Sequence, residues 1–294
     1  MRFVDAHIHL ADMDYAENVD TLLKEARQLG VVALVANSTD LESSYRGLKL
    51  ANDYPDQVYV AIGIHPWNTK QLSPNEMQDT VELILKNMEN KQKVVAVGEI
   101  GLDSSYSGDG EPTEIQKQVF HEMLVVAEKA YFPVIIHSRG YTNQIVNILP
   151  SYNIGKVLLH WFSQPHSLID TIIDRGYYIT EGPPVVYSGG IQEVVRKIPL
   201  TNLMTETDGP VSFRGPFKGR ITSPSFIPVV VEKIAELKRQ EESDVSNQIF
   251  QNFIDFFGVR GVRDKRHDAG TIDNQRRQGT GYRKNVVKNG KSSH

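Results

Sequence analysis

Two histidines near the N-terminus, His7 and His9, are separated by one residue and follow a short apolar run. Residues two apart in an extended strand point to the same side, so both imidazoles can face one ion. Five of the nine histidines, with one glutamate and one aspartate, follow a predicted strand. A random scatter would not place them in this way, so we predict one shared site. The set comprises His7, His9, His65, Glu99, His137, His160 and Asp208.

Imidazoles mixed with carboxylates are typical ligands of a borderline divalent ion, whereas an all-oxygen cage favours calcium or magnesium. The chain has no cysteine, which excludes thiolate sites and zinc fingers. Two ions about 3.5–4 Å apart need a bridging ligand, and a carboxylate has the two oxygens for it. We predict that Glu99 is this bridge. The alternative is that Glu99 forms an ion pair at the rim and that His137 and His160 are hydrogen-bonded core histidines. This alternative requires a separate coincidence at each strand end.

Short β-rich runs alternate with helical stretches, as expected when parallel strands are joined by crossover helices. Strands are predicted at residues 3–5, 31–36, 58–62, 94–98, 133–136, 157–159, 177–180 and 203–205. Predicted helices include residues 18–28, 77–90, 114–130, 167–175 and a final pair within 228–257. Eight βα units favour a closed (β/α)8 TIM barrel of one domain over a doubly wound open sheet. The active site of such a barrel lies at the C-terminal ends of the strands, where the metal-competent residues occur.

The barrel is predicted to occupy residues 1–261, because the composition changes near residue 262. The segment 262–294 has nine Lys and Arg residues against three Asp and almost no large apolar side chains. Such a segment cannot bury enough surface to offset its ordering entropy, so we predict a disordered basic tail. A solvated extension is its first interpretation, and a tether for nucleic acid is the alternative.

The overall charge and hydropathy limit the class of protein. The formal net charge of −4 argues against a protein that coats nucleic acid by charge alone. The sequence has no apolar run of roughly 18 residues and no secretory signal pattern at its N-terminus. We therefore expect a cytoplasmic protein that makes no membrane contact, and no obligate protein partner is evident.

The chain resembles the TatD-type metal-dependent deoxyribonucleases of the amidohydrolase-like barrel superfamily over roughly residues 3–258. The resemblance rests on six segments in order: VDAHIHL at 4–10, AIGIHPW at 61–67, GEIGLD at 98–103, IHSR at 136–139, HWFS at 160–163 and TETDGP at 205–210. It implies one ion held by His7, His9 and Asp208, a second held by His137 and His160, and Glu99 between them.

The resemblance also implies an activity. It points to hydrolysis of phosphodiester bonds in DNA, of the 3′-to-5′ exonuclease type, with two divalent ions of magnesium, manganese or zinc. A hydrolase of a small ester, an amide or an aminoacyl-tRNA bond is the alternative, because the same metals would polarise a carbonyl. A non-catalytic nucleic-acid-binding module is a third interpretation, against which the intact ligand set argues.

Three segments depart from the family pattern. Trp161 replaces the usual Cys, which predicts altered packing beside the ligand His160. Residues 104–110 lack the aromatic pair typical after Asp103, and the loop 211–223 has a different spacing. That loop still offers the positive charges of Arg214, Lys218 and Arg220.

Four residues are assigned roles beside the bridge. We predict that Asp208 accepts the proton of the attacking water and that Glu206 orients a ligand histidine. His65, at the rim, is predicted to contact phosphate or protonate the leaving group, with a plain hydrogen bond as the alternative. Arg139 is predicted to bind a substrate phosphate through its planar guanidinium, with a salt bridge at the rim as the alternative.

Overall fold

The strands follow one another around a barrel in chain order. In the computed structural model, which describes residues 1–89, 93–107, 110–163, 166–259 and 261–262, each strand pairs in parallel with the next. They are β1 (Phe3–Ile8), β2 (Val31–Asn37), β3 (Val58–Ile62), β4 (Val94–Gly101), β5 (Val134–His137), β6 (Val157–Leu159), β7 (Tyr178–Glu181) and β8 (Leu203–Thr205). Hydrogen bonds from Thr205 Oγ1 to the Val4 carbonyl and from the Asp208 N–H to the His7 carbonyl join β8 and its loop to β1. The predicted (β/α)8 barrel is confirmed.

The helices cover the outside of the barrel. They are α1 (Val19–Gln28), α2 (Leu41–Asp53), α3 (Pro74–Lys86), α4 (Glu114–Ala130), α5 (Thr142–Ile148), α6 (Ile169–Asp174), α7 (Gly189–Lys197), α8 (Ile227–Lys238) and α9 (Glu242–Phe257). Three of these helices, α2, α5 and α7, were not predicted from the sequence. The serines and glycines of α2 and α7 lower the helical signal, and α5 has only seven residues.

The strands β1, β4 and β5 extend further than predicted, and this changes the position of three site residues. His7 lies inside β1, Glu99 inside β4 and His137 at the end of β5, so the prediction that they follow their strands is wrong. β1 and β4 continue pairing past a register shift, which falls between Asp5 and Ile8 in β1 and between Val97 and Ile100 in β4. Irregularities of this kind are common beside active sites, where they redirect a side chain.

The core consists of the barrel interior and the layer between strands and helices. The strands are buried on both faces, which accounts for their continuous apolar character. Among the described helices, none combines the length and apolar character that a membrane span requires. The predicted basic tail falls outside the described residues from residue 263 onward.

Candidate metal centre

Glu99 lies at the floor of the C-terminal mouth of the barrel, with a different pair of histidines at each carboxylate oxygen. Its Oε2 is 3.2 Å from Nε2 of His7 and 3.3 Å from Nε2 of His9. Its Oε1 is 2.9 Å from Nδ1 of His137 and 2.7 Å from Nε2 of His160. The single buried carboxylate therefore joins residues from β1, β5 and the end of β6.

Asp208 completes the group around Oε2 of Glu99. Its Oδ1 is 3.3 Å from Nε2 of His7 and 3.4 Å from Nε2 of His9. The backbone of Asp208 is left-handed, with φ of +50°, a conformation that costs a non-glycine residue about 1–3 kcal/mol. Asp5 on β1 fixes the preceding residue, since its carboxylate accepts the N–H and the O–H of Thr207. We call His7, His9, Asp208 and Oε2 of Glu99 the first ligand set.

The second ligand set consists of His137, His160 and Oε1 of Glu99. His137 ends β5, where its carbonyl oxygen would lie 1.9 Å from a Cβ added to Gly101. Gly101 also has a φ of +152°, which favours glycine, so the close approach of β4 and β5 at this point requires it. Glu99 and His137, two of the three members of the second set, therefore lie on strands whose close approach requires a glycine at position 101.

The outer ring nitrogens of His9 and His137 are held by acceptors, which leaves their inner nitrogens for the centre. Nδ1 of His9 lies 3.1 Å from the Asn37 carbonyl, which only accepts, so Nδ1 carries the proton and Nε2 has a free lone pair. Nε2 of His137 faces Oδ2 of Asp103 at 2.9 Å. Anchoring the outer nitrogen in this way is the usual arrangement of histidines that ligate metals.

The unpartnered atoms of the first set fit a cation. Nε2 of His7 and Oε2 of Glu99 are buried and have no hydrogen-bond partner among the described residues. Burying such atoms unpaired is costly unless something else satisfies them. Ligand atoms arranged tetrahedrally around an ion at about 2.0–2.1 Å lie roughly 3.3 Å apart. The distances of 3.2–3.4 Å in the first set agree with this spacing.

Electrostatics keep both carboxylates ionised. Burial raises the pKa of Glu99, but the imidazoles of His160, His65 and His7 outweigh it and lower that pKa well below its usual value. Burial likewise raises the pKa of Asp208, and its hydrogen bonds with His7 and His9 reverse the effect. The site therefore presents two negative charges at its floor at neutral pH.

Asp103, the last residue of the GEIGLD segment, is a hydrogen-bond partner of His137 that was not predicted from the sequence. Asp103 caps a short 3₁₀ helix by accepting the Ser105 N–H at 2.7 Å. The buried amide of Gln116 on α4 holds its main chain, accepting the Asp103 N–H at 3.0 Å and donating to its carbonyl at 3.2 Å. This fixed backbone aims Oδ2 of Asp103 at His137.

His65 follows β3 and lines the mouth of the barrel, where it is buried. Its Nδ1 accepts the Trp67 main-chain N–H at 3.1 Å, so the proton of the neutral ring is on Nε2. That Nε2 lies 3.4 Å from Oε1 of Glu99. Burial lowers the pKa of His65 to about 4, so the ring is neutral at neutral pH. His65 therefore offers a hydrogen-bond donor next to the second ligand set.

Two further buried carboxyl groups lie behind the centre. Glu206 accepts the Thr180 hydroxyl at 2.5 Å, and its Oε2 lies 3.6 Å from Nδ1 of His160. Glu181, the last residue of β7, is fully buried, and neither of its oxygens has a partner among the described residues. Burial, and then the charge of Glu206, raise the pKa of Glu181 well above its usual value. The position of Glu206 agrees with the orienting role expected for it, whereas Glu181 had no signal in the sequence.

A cavity of roughly 670 Å³ opens above the two ligand sets. Glu99, Asp208 and the second-set histidines lie in its wall, together with Arg139 and Arg214. Lys218 and Arg220, from the same loop as Arg214, are not among its described lining residues. The only formal positive charges that the described lining offers beside the histidines are therefore two guanidinium groups.

A sequence profile described as "TatD related DNase" matches residues 4–258 of this chain. The chain belongs to this TatD family. It is 30% identical over 252 residues to the uncharacterized metal-dependent hydrolase YabD of Bacillus subtilis, covering 84% of this chain and 96% of YabD. It is 32% identical over 261 residues to human deoxyribonuclease TATDN3, covering 86% of this chain and 94% of that protein.

The fold is shared with a solved TatD structure. The crystal structure of YjjV, a TatD homolog from Escherichia coli, superposes with a TM-score of 0.79 at 29% identity, covering 88% of this chain and 98% of YjjV. As a TatD family member, this chain is a metal-dependent hydrolase.

The Trp161 departure from the family pattern affects packing, as expected. Trp161 is half-buried in the cavity wall, and its ring centroid is 5.6 Å from that of Phe213. It packs against a small apolar cluster formed by Phe213, Phe217 and Phe226. In this TatD protein the residue beside the ligand His160 thus supports the loop after β8.

Proposed function

We propose that this protein is a deoxyribonuclease that hydrolyses phosphodiester bonds, removing nucleotides from 3′ ends, with water activated between two divalent cations. The observation that carries the proposal is that the two oxygens of Glu99 face two separate histidine pairs at the floor of an open cavity. A carboxylate placed in this way is suited to bridge a pair of ions.

The distances around Glu99 support the ligand assignment. We assign one cation to His7, His9 and Asp208, a second to His137 and His160, and the bridge to Glu99. Imidazole-rich sites with carboxylates suit zinc and manganese, and magnesium remains a candidate because three ligand atoms are carboxylate oxygens. When bound, the cations supply Lewis acidity toward a phosphoryl oxygen and lower the pKa of a water molecule.

Three side chains act on the substrate in this proposal. Asp208 is ionised and lines the cavity, so it can accept the proton of the attacking water. His65, held neutral with its proton on Nε2, donates a hydrogen bond to a phosphoryl oxygen. Arg139 is exposed in the cavity wall and binds a phosphate of the substrate.

DNA as the substrate is supported by the shape and charge of the mouth. The cavity is open, and its lining includes two guanidinium groups and the exposed indole of Trp67. Guanidinium groups recognise phosphates, and aromatic rings stack on unpaired bases. The human relative TATDN3 is named a deoxyribonuclease, which is consistent with the same substrate class.

The test compares substrates with and without metal. Purified protein is stripped with chelator, reloaded separately with magnesium, manganese or zinc, and given single-stranded DNA labelled at the 5′ end, bis(p-nitrophenyl) phosphate and an aminoacyl ester. We expect metal-dependent shortening of the 5′-labelled strand in single-nucleotide steps, and its loss in Asp208→Asn. Asp14→Asn, at an exposed position near the same mouth, is the matched control and should cleave normally.

Each alternative has its own outcome. Cleavage of the aminoacyl ester alone would reject the nuclease and favour the carbonyl hydrolase. Cleavage that begins within the strand would reject the exonuclease assignment but keep the deoxyribonuclease. Binding of one metal ion per chain at saturation, measured by elemental analysis, would reject the two-cation assignment.

A further inference from the structure

Two guanidinium groups in the cavity wall have no ionic partner in the described part of the chain. Arg139 and Arg214 are both exposed, and no hydrogen bond or ion pair of either guanidinium occurs among the described residues. The acidic groups in the described lining of the cavity, Glu99, Asp103 and Asp208, already face imidazoles. The two guanidinium groups are therefore available to an anionic ligand.

Arg214 is held in place by its neighbours in the chain. Phe213 and Phe217, on either side of it, are buried at 6% and 1% exposure and belong to the aromatic cluster supported by Trp161. The ring of Tyr187 covers Gly215, so closely that an added Cβ would lie 3.0 Å from it. These contacts hold the main chain of the loop around Arg214, and the guanidinium of Arg214 enters the cavity from it.

Arg139 is fixed in a similar way on another side of the mouth. Its carbonyl accepts the Ser104 N–H at 3.0 Å, and the side chain of Ser104 fills the space where Gly140 would otherwise have a Cβ. Arg139 follows β5 and Arg214 follows β8, so the two approach the cavity from strands that are three positions apart in the barrel. These contacts hold the main chain at both arginines, so each side chain starts from a defined position at the mouth.

We propose that Arg139 and Arg214 bind the phosphate adjacent to the scissile one, so that the enzyme selects a strand with at least two phosphodiester groups over a single phosphodiester. This inference rests on the proposed nuclease function. The scissile phosphate carries one negative charge, which metal ions held at the floor would neutralise. The two guanidinium groups in the wall match a second phosphate, because Arg binds phosphate oxygens in a bidentate, charge-assisted manner.

The experiment removes a charge from the substrate rather than from the protein. Oligothymidylates are prepared in which the phosphate next to the 3′-terminal linkage is replaced by a neutral methylphosphonate, and kcat/KM is compared with the all-phosphate strand. For the wild-type enzyme we expect about a five- to tenfold decrease, the effect of losing a phosphate contact by exposed arginines. In the double variant Arg139→Gln and Arg214→Gln, the same replacement should change kcat/KM less than about twofold.

The salt dependence gives a second readout. On a single strand, each neutralised phosphate contributes roughly 0.7 to the slope of log affinity against log salt. The slope of log kcat/KM should therefore be less steep by about this amount in the double variant Arg139→Gln and Arg214→Gln. Arg220→Gln is the matched control, because Arg220 lies on the same loop but is stacked over Phe226, 4.6 Å from the ring centroid. It should discriminate between the two strands as the wild type does.

Three results would overturn the inference. If wild-type enzyme cleaves both strands equally, the adjacent phosphate is not read, although the proposed nuclease function stands. If the double variant discriminates as strongly as the wild type, other residues read that phosphate. If no phosphodiester substrate is cleaved under any metal condition, the proposed function itself fails and this inference fails with it.

Discussion

Replacing Asp103 by asparagine tests how the second ligand set is held. Oδ2 of Asp103 lies 2.9 Å from Nε2 of His137, whose other nitrogen faces Glu99 at 2.9 Å. Asparagine keeps an oxygen to cap the Ser105 N–H and keeps the main chain held by Gln116. The substitution therefore removes the charge behind one histidine and leaves the loop in place.

The expected loss of metal affinity follows from the contact between Asp103 and His137. Burial raises the pKa of Asp103, but its hydrogen bonds with His137 and the Ser105 N–H lower it to about 2, so the carboxylate is ionised at neutral pH. A carboxylate behind a ligating histidine typically contributes 10–100-fold to metal affinity. Because the single oxygen of asparagine caps the Ser105 N–H, its NH2 group faces Nε2 of His137 and cannot accept the ring proton. We therefore expect the high end, about 100-fold or roughly 2.7 kcal/mol. The loss should fall on the cation of the second set alone.

In the assay, metal is titrated into the chelator-stripped protein, and binding is measured by calorimetry. Two binding events are expected for the wild type, and only one of them should weaken in Asp103→Asn. Asp79→Asn is the matched control, since Asp79 is exposed on α3 and contacts neither ligand set. Equal weakening of both events, or no weakening of either, would refute the reasoning that Asp103 acts through His137.

Three further predictions concern stability. Glu181→Gln should increase the free energy of unfolding at pH 8 and flatten its pH dependence, because the raised pKa of Glu181 makes the folded protein lose stability as pH rises above about 4.5. Gly101→Ala should lower that free energy by about 3 kcal/mol or more, since the new Cβ would lie 1.9 Å from the His137 carbonyl oxygen. Tyr15→Phe should cost about 1–3 kcal/mol, because the buried Thr222 carbonyl loses the hydroxyl that donates to it at 2.6 Å.

Urea denaturation measures all three, and the first two have a matched control. Glu232→Gln, at an exposed position of α8, should leave the pH dependence of unfolding unchanged. Gly155→Ala should be tolerated, since nothing lies within 4 Å of its added Cβ. An unchanged pH profile for Glu181→Gln, or wild-type stability for either of the other variants, would contradict the corresponding argument.

The barrel was predictable because its signal is local. Apolar runs of strand length separated by helical stretches are visible in the sequence, and a parallel strand buried on both faces has a continuous apolar run. The same logic missed the ends of β1 and β4. There the strands contain His7 and Glu99, polar residues that provide no strand signal, and long-range pairing with β2 and β5 keeps the backbone extended.

The sequence by itself determined which side chains gather at one mouth, since their types are readable and each lies at the end of a strand that parallel pairing brings to the same edge. Only the tertiary structure decided how they pair: that the oxygens of Glu99 divide between two histidine pairs, that Asp103 holds His137, and that His65 is buried with its proton on Nε2. These relations depend on angstrom-scale distances between residues that are far apart in the chain. Strand register, a glycine contact and loop packing set those distances together, and no local pattern records them.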